Sequence, residues 1–119
     1  MAVTISEETY GSVKKIIFTW SSDGSGDATG TTTMAYNGAL ERLVTVPGTG
    51  GAAPSASYDI TVLDQDSTDV LMGAGLSRAA ASTEQVKAAS LGVIANDTMS
   101  IVVANAGASN SGVAYVYLR

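Results

Sequence analysis

The chain has 119 residues, 45% of them apolar and 14% charged, which suits one folded domain with a single core and argues against disorder. It contains no histidine and no cysteine, so disulfides, thiolate chemistry, His-based nucleophilic catalysis and ordinary zinc sites are excluded. Six Lys/Arg against eleven Asp/Glu give a net charge of −5, and Lys14-Lys15 is the only adjacent basic pair, so no phosphate-tracking patch for nucleic acid is present.

The opening residues Met1 to Glu8 lack the basic and apolar regions of a signal peptide. The longest apolar runs, such as Ile101 to Ala104, are far too short to cross a bilayer. A soluble product made in the cytoplasm, with no membrane partner, is expected. Val3 to Thr9 reads as a first strand. Val13 to Trp20 reads as a second, with Ile16, Phe18 and Trp20 on one face and Lys15, Ile17 and Thr19 on the other. The only Phe and the only Trp therefore mark the expected centre of the core.

After a polar loop from Ser21 to Asp27, Thr31 to Tyr36 reads as a strand. Asn37-Gly38 is the strongest short hairpin signal in the chain, since both residue types tolerate the positive φ of a type I′ turn. It predicts antiparallel pairing with Leu40 to Val46, which Pro47-Gly48 closes. Thr49 to Ser57 reads as a flexible surface loop, and Tyr58 to Leu63 as a strand with Ile60 and Val62 inward. The polar run Asp64 to Asp69 leads into Val70-Leu71-Met72 and suggests a second hairpin.

Two readings stay open for residues 82–90. Ser82-Thr83-Glu84-Gln85 has capping-box spacing and favours a short helix, whereas Ala/Ser/Thr-rich connections in β-proteins often stay extended. Thr98 to Ala104 and Val113 to Leu118 read as two closing strands joined as an antiparallel hairpin, with Asn105 to Gly112 its long, mobile tip.

About eight short strands and no long helix predict one all-β domain over residues 1–119, an antiparallel β-sandwich or jelly-roll-like fold. The last strand has two apolar faces: Val113, Tyr115 and Tyr117 on one, Ala114, Val116 and Leu118 on the other. Either it is a middle strand covered on both sides, or one face meets another chain. Val113, Tyr115 and Tyr117 are accordingly the candidate oligomer or partner interface, and a homo-oligomer is expected.

Two acidic turns bring hard oxygen ligands together, Asp23 to Asp27 and Asp64, Asp66 and Asp69. Neither matches an EF-hand loop, and Asp and Gly are also what turn geometry alone selects. Asp64, Asp66 and Asp69 are the better candidate for a calcium-dependent binding module, for which Tyr10, Tyr36 and Tyr58 at strand ends are candidate aromatic contacts. Glu7, Glu8, Glu41 and Glu84 show no pairing that suits glycoside hydrolysis. Gly24-Ser25-Gly26 and Gly73-Ala74-Gly75 are not phosphate cradles. Lys14, Lys15 and Lys87 have no spacing that recommends them as a base. No catalytic residue, cofactor or enzyme activity is expected.

The run Val13 to Ala28 (VKKIIFTWSSDGSGDA) resembles the opening of a family of small proteins encoded among the structural genes of tailed bacteriophages and prophages. The likeness continues through Glu41 to Gly48, Tyr58 to Asp64, Asp69 to Gly75 and Val113 to Arg119. It rests on strand and turn patterns, and no functional residue carries over. It implies a virion component made in the host cytoplasm, foremost a capsid decoration (cement) protein bridging major capsid protein subunits. A head–tail connector or tail component is the alternative within the virion. The loops Ser21 to Gly30, Thr49 to Ser57 and Asn105 to Gly112 are further candidate contacts.

Overall fold

A computed structural model describes residues 3–119; Met1 and Ala2, part of the segment read above for a leader, lie outside the described residues. Among the described residues nine strands run in chain order as β1 (Val3–Tyr10), β2 (Val13–Ser21), β3 (Ala28–Thr31), β4 (Tyr36–Pro47), β5 (Asp59–Leu63), β6 (Glu84–Lys87), β7 (Val93–Asp97), β8 (Ser100–Ala104) and β9 (Ser111–Leu118). They form an all-β antiparallel sandwich. The larger sheet has the order β1-β2-β9-β4, with β6 and then β7 following the far edge of β4, and the smaller is β3-β8-β5. From β2 on, β2-β9-β4-β6 faces β3-β8-β5, the jelly-roll-like order expected from the sequence, with β1 added at the edge of the larger sheet.

Alternation along each strand sends one set of side chains between the sheets. Ile16, Phe18 and Trp20 lie there fully buried, as their spacing predicts, with Leu43, Ala114, Val116 and Leu118 beside them. Ile60, Val62, Ile101 and Val103 close the core from the small sheet. Trp20 lies so close over β9 that a Cβ on Gly112 would sit 2.6 Å from its Cζ2, so this position requires glycine. The two sheets also meet at one side, where a Cβ on Gly30 of β3 would stand 2.8 Å from the Val3 Cβ of β1.

Three expectations fail on long-range pairing. Asn37-Gly38 makes no hairpin: β3 stops at Thr31 and belongs to the other sheet, and Asn37-Gly38 lies within β4 at a bulge. Gly38 has φ +137°, and the missing Cβ admits the backbone of Arg119. The glycine thus serves a bulge and a close approach. The tight hairpin instead joins β1 to β2 through Gly11-Ser12, where Gly11 takes φ +61°.

Residues 70–72 form a turn, not a strand. The segment still covers the outer edge of β5, because Val70 N donates to Val62 O, Ile60 N to Gly75 O, and Arg78 N to Tyr58 O. Over 82–90 the extended reading holds: β6 pairs with β4, and only Ala88–Ser90 makes a 3-10 turn before β7. A single helical turn cannot compete with the ladder that β4 offers there.

Finally, β8 and β9 are not a hairpin. β8 is the middle of the small sheet and β9 the middle of the large one, so residues 105–110 cross between layers. The two-faced apolar character of β9 is what admits it to the centre of the larger sheet, between β2 and β4.

Candidate docking surface on the large sheet

Strand order decides which side chains share the outer face of the large sheet. Register places Glu8, Lys15, Tyr117, Arg42 and Lys87 in one row from β1 to β6. The next row is Ser6, Ile17, Tyr115, Val44 and Gln85, and the third runs Thr4, Thr19, Val113 and Val46. Val113, Tyr115 and Tyr117, the interface candidates, therefore sit together at the middle of this face. Each is half-buried, while their alternates Ala114, Val116 and Leu118 fill the core.

The face is apolar along its axis and basic along one row. Val44 is 8% exposed between Tyr115 and Gln85, and Ile17 and Val46 are half-buried beside it. Lys15 Nζ lies 5.1 Å from the ring centre of Tyr115 and 5.8 Å from that of Tyr117. The guanidinium carbon of Arg42 lies 5.3 Å from the Tyr117 ring, and its Nε donates to Gln85 Oε1 at 3.1 Å. Cations over aromatic faces hold both partners in place while leaving the positive charge unneutralised. Beside β6 a groove of about 670 Å³ continues the surface, with Glu41, Arg42, Arg78 and Lys87 among its walls. Arg78 there pairs with Glu84 at 3.5 Å, and Glu84 also accepts the Ala79 amide.

The residue types at the centre were legible in the sequence, and so was Lys15, which shares its strand face with Ile17 and Thr19. Arg42 and Lys87 were not singled out for this surface. Only the placement of β4 beside β9, and of β6 beside β4, brings them to it.

The three candidate loops converge at one end of the sandwich. Asn110 N donates to Ser22 Oγ at 2.9 Å, Asn110 Nδ2 to Ala106 O at 2.7 Å, Ser55 N to Ala106 O at 2.9 Å, and Ala106 N to Gly26 O at 3.1 Å. The loops read as flexible or mobile are thus pinned to one another about the buried Ala106. Ser57, Asn105 and Ser109 hold positive φ in this network.

The acidic turns are occupied with their own backbone. Asp64 Oδ1 accepts the amides of Asp66 and Thr68, and its Oδ2 accepts the Thr68 hydroxyl, which is the main reason its carboxyl lies below the usual carboxylate range. Asp69 accepts Val62 N, Leu71 N and Gly73 N. Asp23 accepts Asp27 N and Ser25 N, and is lowered for the same kind of reason. Among the described residues no group of three or more acidic side chains converges to hold a metal ion.

The strand-end tyrosines do not form a platform. Tyr36 and Tyr58 are 4% and 0% exposed, Tyr58 packing against Trp20 at 5.6 Å, and only Tyr10 is on the surface, at 62%. The two neighbouring tyrosine rings, both half-buried, lie on β9 instead.

No protein-family model matches this chain, and neither does any curated protein.

Proposed function

We propose that this protein is a structural component of a tailed-bacteriophage virion, a capsid decoration protein that lays the outer face of its large sheet across neighbouring major capsid protein subunits. One observation carries the reading. The outer face of the large sheet presents Ile17, Val113, Tyr115 and Tyr117 half-buried around the buried Val44, with no strand of the described chain laid across it. In a two-layer fold an outward face normally meets water and carries polar residues. The likeness to phage structural proteins along most of the chain supports the same reading.

Five strands at about 4.8 Å spacing and about seven residues at about 3.4 Å give this face a projected area of about 550 Å². A stable interface takes about 800 Å² from each partner, so the groove beside β6 or a neighbouring loop completes the contact. The role is mechanical and non-catalytic. Apolar area buried across a subunit seam must be exposed again when the seam opens, and a ligand that binds only the closed shell stabilises it by mass action.

Co-expression with the major capsid protein of the same genome tests this. The protein should co-sediment with assembled heads and raise their disassembly temperature, and Tyr115→Ala/Tyr117→Ala should abolish both effects. Heads that form and stay bare would overturn the reading.

A further inference from the structure

We infer that the outer face of the large sheet receives a carboxylate-bearing protein surface, and that it is built to refuse a second copy of itself. The inference deepens the docking reading and rests on it. Its ground is the distribution of charge. The chain is acidic, yet Lys15, Arg42, Arg78 and Lys87, four of its six cations, lie on this face and in the adjoining groove. Of the eleven carboxylates only Glu8, Glu41 and Glu84 accompany them. The rest of the molecule is strongly negative.

Three of these cations are uncommitted. The one ion pair among the described residues is Arg78 with Glu84, which leaves Lys15, Arg42 and Lys87 without a carboxylate. Glu8 stands opposite Lys15 in register, but it accepts the hydroxyls of Tyr10 at 3.0 Å and Ser6 at 3.3 Å. Lys15 and Arg42 are braced over tyrosine rings, so little side-chain entropy is left to lose when an anion arrives.

The row from Lys15 on β2 to Lys87 on β6 spans three strand intervals, about 14 Å. One carboxylate cannot bridge that distance, whereas two or more on a folded surface can. The apolar strip of Ile17, Tyr115 and Val44 runs alongside, so the fitting partner pairs an apolar patch with an acidic margin.

A two-fold contact centred on this row would bring Lys15, Arg42 and Lys87 close to the same cations of the other copy. Like charges across an interface suppress that pairing. A homo-oligomer centred on this row is therefore disfavoured. This also gives the sheet a way to choose the shell over its own copies during assembly.

The probe is poly-L-glutamate, titrated into isotopically labelled protein and followed by amide NMR, with poly-L-lysine and heparin as controls. Poly-L-glutamate should shift amides of β2, β9, β4 and β6, and its affinity should fall about tenfold or more as salt rises from about 0.05 to about 0.3 M. Lys15→Glu/Arg42→Glu/Lys87→Glu should remove the shifts. Should that variant fail to fold, the Gln triple variant and the wild-type salt series decide the matter. Shifts confined to the loop end, tighter binding of heparin than of poly-L-glutamate, or concentration-dependent self-association through Lys15, Arg42 and Lys87 would each overturn the inference. Heads bound with no dependence on salt or on these cations, yet lost in Tyr115→Ala/Tyr117→Ala, would overturn it and leave the docking reading standing. Poly-L-glutamate bound at this face with heads left bare would do the reverse.

Discussion

Replacing Glu7 by alanine removes the acceptor that ties the 32–36 segment to β1. The Glu7 carboxylate accepts four hydrogen bonds: Tyr36 Oη at 2.6 Å, Thr33 Oγ1 at 2.8 Å, Thr33 N at 3.0 Å and Met34 N at 3.2 Å. Thr33 and Met34 are exposed, so water replaces the carboxylate for them and their loss costs little. Tyr36 is only 4% exposed, and its hydroxyl loses its partner in a nearly dry site at a cost of about 1–3 kcal/mol. Together the change should destabilise the fold by about 2–3 kcal/mol, which lowers Tm by roughly 8–12 °C for a chain of this size.

Urea titration of wild type, Glu7→Ala, Tyr36→Phe and the double variant measures this directly. Tyr36→Phe should recover part of the Glu7→Ala loss, because it deletes the stranded hydroxyl. Acid supplies a second check. Burial raises the Glu7 pKa, but the hydrogen bonds from Tyr36, Thr33 and Met34 outweigh it and hold the carboxyl below its ordinary 4.5. A depressed folded pKa contributes stability above the unfolded value and loses it as pH falls through the folded one. The gap between wild type and Glu7→Ala should therefore be full near neutrality and shrink in acid below 4.5. A variant as stable as wild type, or a gap that does not change with acid, would mean that the Glu7 carboxylate does not anchor the 32–36 segment.

Gly112→Ala should cost about 3 kcal/mol and shift Trp20 fluorescence, since the new methyl would stand 2.6 Å from the indole Cζ2 and 2.9 Å from Val46 O. Tyr115→Ala/Tyr117→Ala should leave denaturation close to wild type, within about 1–2 kcal/mol for two half-buried rings, while removing head association in the sedimentation assay. Asp69→Ala should lose about 1–2 kcal/mol by urea titration because three amides lose their acceptor, more than Asp66→Ala, whose carboxylate makes no hydrogen bond among the described residues. Excess Ca²⁺ should shift the Tm of neither variant nor of wild type if these turns serve geometry alone.

What was legible in the sequence was the periodic part. Ile16, Phe18 and Trp20 declare themselves by spacing, and so does the two-sided character of β9, because alternation survives in any sheet order. What was hidden depends on partners distant in sequence. Asn37-Gly38 carries the residue types of a tight turn, but a bulge that admits Arg119 asks for the same glycine. β6 shows a cap-like pattern and few large apolar residues, and only the open edge of β4 makes it a strand. Only residues 105–110 separate β8 from β9, in the manner of a hairpin, yet both are central strands of different sheets. The docking face divides in the same way. Tyr115 and Tyr117 were visible on one strand, whereas Arg42 and Lys87 join them only through the order β9-β4-β6.

Electron cryomicroscopy of heads assembled with this protein tests the central claim most directly. Ordered density is expected on the shell, with Tyr115, Tyr117 and Lys15 of the large sheet packed on the capsid subunits and the face of the small sheet outward. Bound protein whose large sheet faces solvent, held instead by the loop end around Ala106, would contradict it.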